Sequence, residues 1–202
     1  MGMTDPSQPS HAARREALLV RVVDHVLENG ISQLTLRELA AAAGSNNRML
    51  LYYFGTRENV IVAALEGAER RFPTMRAIIP AIDDTSIALE QRLTDAWCTI
   101  SDPANLPFHR LFFEIFGQAG FRRQQFTELL GDIGTEWVTH VAKAFEHEGV
   151  DPERSLVFAH EIVALWRGLQ ATLLSVGDAA LVDRAAREST AALVGRLRPA
   201  AY

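Results

Sequence analysis

The side chains best suited to chemistry lie together in residues 35–58, and the chemistry they suit is nucleic-acid recognition. Asn47 and Arg48 are adjacent. In the major groove of DNA, an asparagine amide pairs with adenine and an arginine guanidinium pairs with guanine. Met49 and Tyr52 follow, and they can contact thymine methyl groups or the backbone. Base reading requires such residues at the start of a helix that enters the groove.

Two short helices joined by a tight turn are predicted around these residues. Thr35 can cap a helix whose apolar residues recur at helical spacing. Gly44 ends this helix, because glycine enters the left-handed region without a steric cost. Asn46 can cap the second helix. A helix, a tight turn and a second helix with base-reading side chains at its start form a helix-turn-helix. The pattern therefore predicts a DNA-binding protein.

This stretch also resembles the signature of the TetR family of transcriptional regulators. The chain departs from that signature at Ser45 in place of Val, Asn46 in place of Ser, Leu51 in place of Tyr, and Val60 or Ile61 in place of the closing Leu. Leu51 lacks a hydroxyl that often contacts phosphate in the family. The residues that match are Thr35, Leu39, Ala40, Ala43, Gly44, Leu50, Tyr53, Phe54, Arg57 and Glu58.

The resemblance implies an all-α fold with an N-terminal three-helix helix-turn-helix DNA-binding domain and a C-terminal helical domain for ligand binding and dimerisation. The rest of the chain agrees, since helical patterns follow one another and no period-2 strand is evident. We expect residues 1–10 to be a disordered arm, 11–72 the DNA-binding domain with its linking helix, and 73–202 the effector-binding and dimerisation domain. A Pro- and Asp-rich break is predicted at 78–86.

Charge is distributed unevenly along the chain. The net charge is −5, but residues 1–60 hold six Arg and six Asp or Glu, so the acidity lies outside the predicted DNA-binding part. A neutral head predicts modest, salt-dependent non-specific affinity for DNA. In similar proteins, backbone contacts are made at the positions of Thr35, Tyr53 and Arg57. The expected DNA-binding residues are Thr35, Arg37, Asn46, Asn47, Arg48, Met49, Tyr52, Tyr53 and Arg57.

The last two predicted helices, 152–176 and 178–198, indicate a homodimer. The first is apolar on more than one face and must be buried by something besides its own domain, while the second is Ala-rich and allows close approach. In the TetR family, these helices form a four-helix bundle with the twofold mate. The alternative is ordinary intradomain core. A dimer would read a palindromic operator of double-stranded DNA through two half-sites one turn apart.

Aromatic residues concentrate beyond the motif. Phe108, Phe112 and Phe116 share one helix face; such a stripe is either core or the wall of an apolar ligand cavity. The resemblance favours the cavity, because a typical family member releases DNA when a small molecule binds its C-terminal domain. The effector itself is not identified by the sequence. The expected pocket residues are Trp97, His109, Phe112, Phe113, Phe116, Trp137, His140, Trp166 and Arg167.

Other classes of function are disfavoured. Glu136 and His140 are spaced to share a helix face, but no HExxH or CxxC spacing occurs, and Cys98 is the single cysteine. Neither a GxSxG elbow, a GxGxxG fingerprint nor a P-loop is present. We therefore expect no catalytic residues, no metal and no cofactor. No apolar run approaches the roughly 20 residues of a membrane span, and we expect a cytoplasmic protein.

Two functions remain open. The first is a dimeric, ligand-responsive DNA-binding transcriptional regulator, expected to be a repressor released from its operator by a small apolar or amphipathic molecule. The second is an interaction protein that has the helix-turn-helix shape but lacks sequence-specific DNA binding. The neutral head and Leu51 keep this alternative open.

Overall fold

The computed structural model describes residues 10–32, 34–175 and 178–197, which form helices joined by short turns. No strand occurs in these ranges, so the predicted all-α fold class is confirmed. The arm expected at residues 1–10 lies outside the described residues except for Ser10. The helices are α1 (His11–Asn29), α2 (Leu36–Ala42), α3 (Asn47–Phe54), α4 (Arg57–Glu69), α5 (Pro73–Arg76), α6 (Ile78–Asp83), α7 (Leu89–Ser101), α8 (Leu106–Phe121), α9 (Thr127–His147), α10 (Pro152–Ser175) and α11 (Ala179–Gly195).

The chain divides into two compact units. The first consists of residues 1–71 together with 110–125, and the second of 72–109 together with 126–202. The domain limits given above remain a prediction. They assign 110–125 to the second domain, whereas in the structure this segment belongs to the first unit. Helix α8 therefore begins in one unit and ends in the other.

In the first unit, α1 packs along α4, and α2 packs against α3. The helices begin where the sequence predicts, because each has a polar cap. The Thr35 hydroxyl accepts from the Glu38 amide at 3.2 Å, while the Glu38 carboxylate accepts from the Thr35 amide at 2.7 Å. The Asn46 side chain accepts from the Met49 amide at 3.0 Å, and Thr56 caps α4 in the same way. These caps are confirmed.

The turn between α2 and α3 is closed from outside. Gly44 has a φ of 63°, in the left-handed region that favours glycine. The Arg21 guanidinium on α1 donates to the carbonyl oxygen of Ala43 at 2.9 Å, and so pairs one of the carbonyls left free at the end of α2. A methyl group added at Gly44 would lie 2.8 Å from Nη1 of Arg21.

In the second unit, α9 packs on α10, and α11 packs on α7. The break predicted at 78–86 is wrong in part, since α6 occupies Ile78–Asp83. Pro80 lies in the first turn of α6, where its missing N–H would have no partner within the helix. The aromatic side chains buried in this core are Trp97, Phe145, Phe158 and Trp166. Within the described ranges, no helix is long and apolar enough to cross a membrane.

Substituting Gly44 tests this turn. Gly44→Ala should cost about 1–2 kcal/mol for left-handed strain, plus roughly 0.5–1.5 kcal/mol for displacing the Arg21 hydrogen bond. Urea unfolding of Gly44→Ala, Arg21→Ala and the double variant measures both contributions. In the Arg21→Ala background, only the strain should remain. Equal costs in the two backgrounds would contradict the role given to Arg21.

Candidate nucleic-acid interface and effector residues

Helix α3 presents the predicted base-reading residues to solvent. Leu50 and Phe54 are buried and anchor the opposite face of the helix. Asn47 and Arg48 are exposed in its first turn, directly after the cap. Tyr52 is 66% exposed and lies one turn beyond Arg48, so these two side chains share a face. The arrangement suits insertion of α3 into a groove with its N-terminal end toward the bases.

His11 contacts the aromatic residues of α3, although it is not among the DNA-binding residues predicted from the sequence. The ring of His11, at the start of α1, lies 4.7 Å from the ring of Tyr53 and 5.5 Å from that of Tyr52. The two tyrosine rings meet edge to face at 5.0 Å. His11 precedes Tyr52 by 41 positions, so no local spacing signals this contact. The group places the start of α1 next to the exposed face of α3.

Thr35 uses its donors within the protein. Besides the backbone bond described above, its hydroxyl donates to the Glu38 carboxylate at 2.8 Å. These bonds to Thr35 lower the pKa of the exposed Glu38 carboxyl, which favours the charged form. A carboxylate thus occupies the helix N-terminus that a phosphate would approach. Thr35 as a phosphate contact remains a prediction, and binding would require Glu38 to give way.

Arg57 also makes an internal contact. Its Nε donates to the carbonyl oxygen of Leu34 at 2.8 Å, and its Nη1 lies 3.6 Å from the carboxylate of Glu58. The side chain is only 21% exposed. Arg57 therefore holds the segment that leads into α2. Its predicted phosphate contact is not tested by this geometry. Arg37, by contrast, is exposed on α2.

Besides His140, five of the predicted effector residues lie in the second unit. Trp97 is buried, and its Nε1 donates to the Asp183 carboxylate at 2.9 Å. The rings of Trp137 and Trp166 meet edge to face at 6.3 Å. His109 is buried and donates through Nε2 to the Ile100 carbonyl oxygen at 2.8 Å, since a carbonyl can only accept. The fifth, Arg167, is half-buried.

Burial acts on the two basic groups in this set. It lowers the pKa of the His109 imidazole, and the bond to Ile100 offsets this only in part. It also lowers the pKa of the Arg167 guanidinium. His109 is therefore favoured in its neutral form. Its Nε2 is already bonded, so only Nδ1 could face a ligand.

Of the four remaining effector candidates, one lies near the surface of the second unit and three lie in the first unit. The His140 ring bonds the Asp83 carboxylate at 3.0 Å near the surface of the second unit. Phe112, Phe113 and Phe116 belong to the first unit, where the rings of Phe112 and Phe116 stack at 5.9 Å. The described residues contain no group of three His, Cys, Asp or Glu that could hold a metal. The nine predicted pocket residues thus divide between the units, and a single pocket formed by all of them remains a prediction.

Solved structures of TetR-family proteins are similar to this chain over most of its length. A TetR-family member from Streptomyces coelicolor A3 matches with a TM-score of 0.65 and 25% identity, over 92% of this chain and 98% of its own. A TetR-like transcriptional regulator from Rhodococcus sp. RHA1 matches with a TM-score of 0.62 and 18% identity, over 94% and 97%. The chain has the TetR-family fold. The predicted resemblance is therefore confirmed at the level of the fold.

Another structure with this fold carries a ligand. The multidrug binding protein EbrR, solved with ethidium, matches with a TM-score of 0.66 and 23% identity, over 94% of this chain and 99% of its own. No family model and no curated protein matches the chain. One residue that differs from the family signature is exposed on α3. Leu51 is 41% exposed at the position where the signature has a tyrosine.

The contact of Arg57 with Leu34 yields a prediction. Arg57→Ala should lower the free energy of unfolding by about 1–3 kcal/mol, because the Leu34 carbonyl loses a charged donor. If Arg57 also binds phosphate, the variant should bind all DNA sequences more weakly, with a salt slope smaller by about one. Thermal unfolding and salt titrations of DNA affinity measure the two effects. Arg76→Ala, at an exposed position of α5 outside the expected DNA-binding residues, is the matched control. An unchanged melting temperature in Arg57→Ala would exclude the structural role.

Proposed function

We propose that this chain is a dimeric, ligand-responsive DNA-binding transcriptional regulator that acts as a repressor. The observation that carries the proposal is the presentation of α3: a capped N-terminus, a buried anchoring face, and Asn47 and Arg48 exposed in the first turn. Amide and guanidinium groups at that place match the acceptors and donors of adenine and guanine in the major groove. The TetR-family fold supports this role.

Exposed apolar residues on the last two helices support the dimer. Leu156 and Val157 on α10 are 47% and 59% exposed, and Leu181 on α11 is 52% exposed. Their own unit does not bury these side chains, and exposed apolar groups of this size favour a partner surface. A second copy of the chain would supply that surface and a second α3. Two recognition helices about 34–36 Å apart read the half-sites of a palindromic operator.

Ligand response is supported by the neighbours and by α8. EbrR, of the same fold, has been solved with ethidium, proflavin and imidazole. In this chain, α8 runs from the second unit into the first. There the Glu114 carboxylate accepts from the Ile31 amide at 2.8 Å. Ile31 follows the end of α1 and leads toward α2. We infer that an effector which shifts α8 alters the helix-turn-helix through this bond, and so favours a dimer state that fits the operator poorly.

Base reading by Arg48 is the first test. Arg48→Ala should weaken binding to the DNA upstream of the protein's own gene by roughly 1–3 kcal/mol, and should relax preference at one base pair. Affinities for specific and random duplexes are measured side by side. Arg76→Ala, at an exposed position of α5 outside the expected DNA-binding residues, is the control. If the ratio of the two affinities stays the same after Arg48→Ala, the helix-turn-helix reads no base through this residue, and the alternative of an interaction protein gains ground.

The dimer is tested by placing charge on its proposed surface. Val157→Asp and Leu181→Asp should each weaken self-association at least about tenfold, because the carboxylate would be buried without a partner. Analytical ultracentrifugation measures the association constant. Val20→Asp places the same charge at a 40% exposed valine of α1, and should leave self-association unchanged. Equal effects at all three positions would contradict an interface on α10 and α11.

The bond between Glu114 and Ile31 can be followed directly. Glu114→Ala should speed hydrogen exchange of the Ile31 amide by about 10- to 100-fold, the equivalent of one charge-assisted hydrogen bond. Glu114→Gln keeps an acceptor oxygen and should retain most of the protection. DNA affinity is measured for both variants, and only the alanine variant should lose part of it. Unchanged exchange at Ile31 in Glu114→Ala would remove α8 from the proposed switch.

A further inference from the structure

The indole N–H of Trp166 lacks a partner in the core of the second unit, and Gln170 lies close to it in sequence. Trp166 is 2% exposed, and its Nε1 has no acceptor among the described residues. Gln170 is 9% exposed, and no described residue forms a hydrogen bond with its amide. The two residues lie one turn apart on α10 and so share a helix face. A buried donor without a partner costs roughly 1–3 kcal/mol, and this cost applies to the indole N–H of Trp166.

The same core shows that an acceptor can be supplied to a buried indole. Trp97, 1% exposed, donates to the Asp183 carboxylate of α11 at 2.9 Å. Both tryptophans belong to one apolar cluster. The fold therefore pairs the N–H of Trp97 and leaves that of Trp166 for another acceptor. This difference separates Trp166 from a tryptophan that serves packing alone.

We propose that Trp166 and Gln170 bind a planar apolar molecule through a hydrogen-bond acceptor that it carries, a carbonyl or carboxylate oxygen. An indole N–H can only donate, so its partner must accept; the Gln170 amide can donate as well. The half-buried ring of Trp137 meets Trp166 edge to face and offers an aromatic surface to a planar ligand. The proposal deepens the proposed function, and it rests on that function in taking this molecule to be the effector.

The charges of the unit favour such a ligand over an aromatic cation. Arg167, next to Trp166, is a half-buried guanidinium. No carboxylate occurs among the fully buried polar side chains of the described residues, and the half-buried Asp183 carboxylate already accepts from the Trp97 N–H. In this respect the site differs from what a ligand such as ethidium would require. The buried polar side chains are Arg92, Asn105, His109, Ser155, Gln170 and Thr190.

Three probes with one ring system separate the head groups. They are 2-naphthoate, the neutral ketone 2-acetylnaphthalene, and the cation 2-(aminomethyl)naphthalene, each added to the ¹⁵N-labelled full chain. The indole N–H signals of the three tryptophans are assigned with single Trp→Phe variants. The Trp166 signal should move downfield with the acid or the ketone, and the ammonium should not move it. The Trp97 signal, already bonded to Asp183, is the internal control and should stay in place.

Several results would overturn the proposal. A Trp166 signal that no probe moves would do so, since the N–H would then be occupied by the neighbouring ring of Trp137. An equal shift with the ammonium would show that contact with the ring, not an acceptor, is sensed. Movement of all three indole signals together would indicate general rearrangement.

Affinity measurements on variants give a second readout. Trp166→Phe and Gln170→Leu should each weaken binding of the better acceptor probe about fivefold or more, the equivalent of one hydrogen bond. Phe145→Leu, at a buried residue of the same core outside the expected pocket, should change the affinity less than twofold. Equal losses in all three variants would reduce Trp166 and Gln170 to structural residues.

The outcome is separable from that of the proposed function. DNA binding is measured without any probe. If specific DNA is bound and the Trp166 signal does not respond, the regulator stands and this inference fails. If Trp166 responds and DNA is not bound, the site stands and the proposed function fails. A probe that moves Trp166 and also lowers the affinity for DNA supports both.

Discussion

The hydrogen bond from Arg21 to the Ala43 carbonyl fixes the direction in which α3 leaves the turn. Only Ala43, Gly44 and Ser45 lie between the last residue of α2 and the Asn46 cap of α3, so the connection has little freedom to vary. The left-handed Gly44 reverses the chain, and Arg21 ties the reversal to α1. Because α1 packs against α4, the end of α3 that carries the proposed base-reading residues is held in place by the packing of the first unit.

Several hydrogen-bond donors of the first unit that would suit phosphate are already bonded within the protein. Thr35 is bonded to Glu38, and the Nε of Arg57 is bonded to Leu34. Residues 1–60 also carry no net charge. An N-terminal part without net charge gains little from counterion release, so in the proposed complex discrimination would depend more on the base contacts of Asn47 and Arg48. Preorganisation of α3 matters more under these conditions, because each ordered side chain saves part of the cost of binding.

Local signals in the sequence were sufficient for the helix-turn-helix, but not for its contacts. The caps at Thr35, Asn46 and Thr56 could be predicted because a cap bonds an amide three residues away. The hydrogen bond from Arg57 to the Leu34 carbonyl could not be predicted, since the two residues are 23 positions apart. The bond from Ile31 to Glu114 spans 83 positions. Helix α6 was not predicted, because Pro80 indicates a break in a helix. Proline is nevertheless tolerated in the first turn of a helix, where Pro80 lies.

Helix α8 carries Glu114, and through the bond to Ile31 it can affect the segment that follows α1. A helix moves nearly as a rigid rod, so a shift at its start in the second unit reaches Glu114 largely undiminished. A displacement of about 1 Å is enough to break a hydrogen bond of normal length. Gly30, with a φ of 71°, allows the close approach, since a Cβ there would lie 2.5 Å from the Glu114 carboxylate. In the proposed switch, the first segment to respond would be the one that leads from α1 toward α2. An effector could then act on the orientation of α3 within one protomer, in addition to the spacing of two protomers.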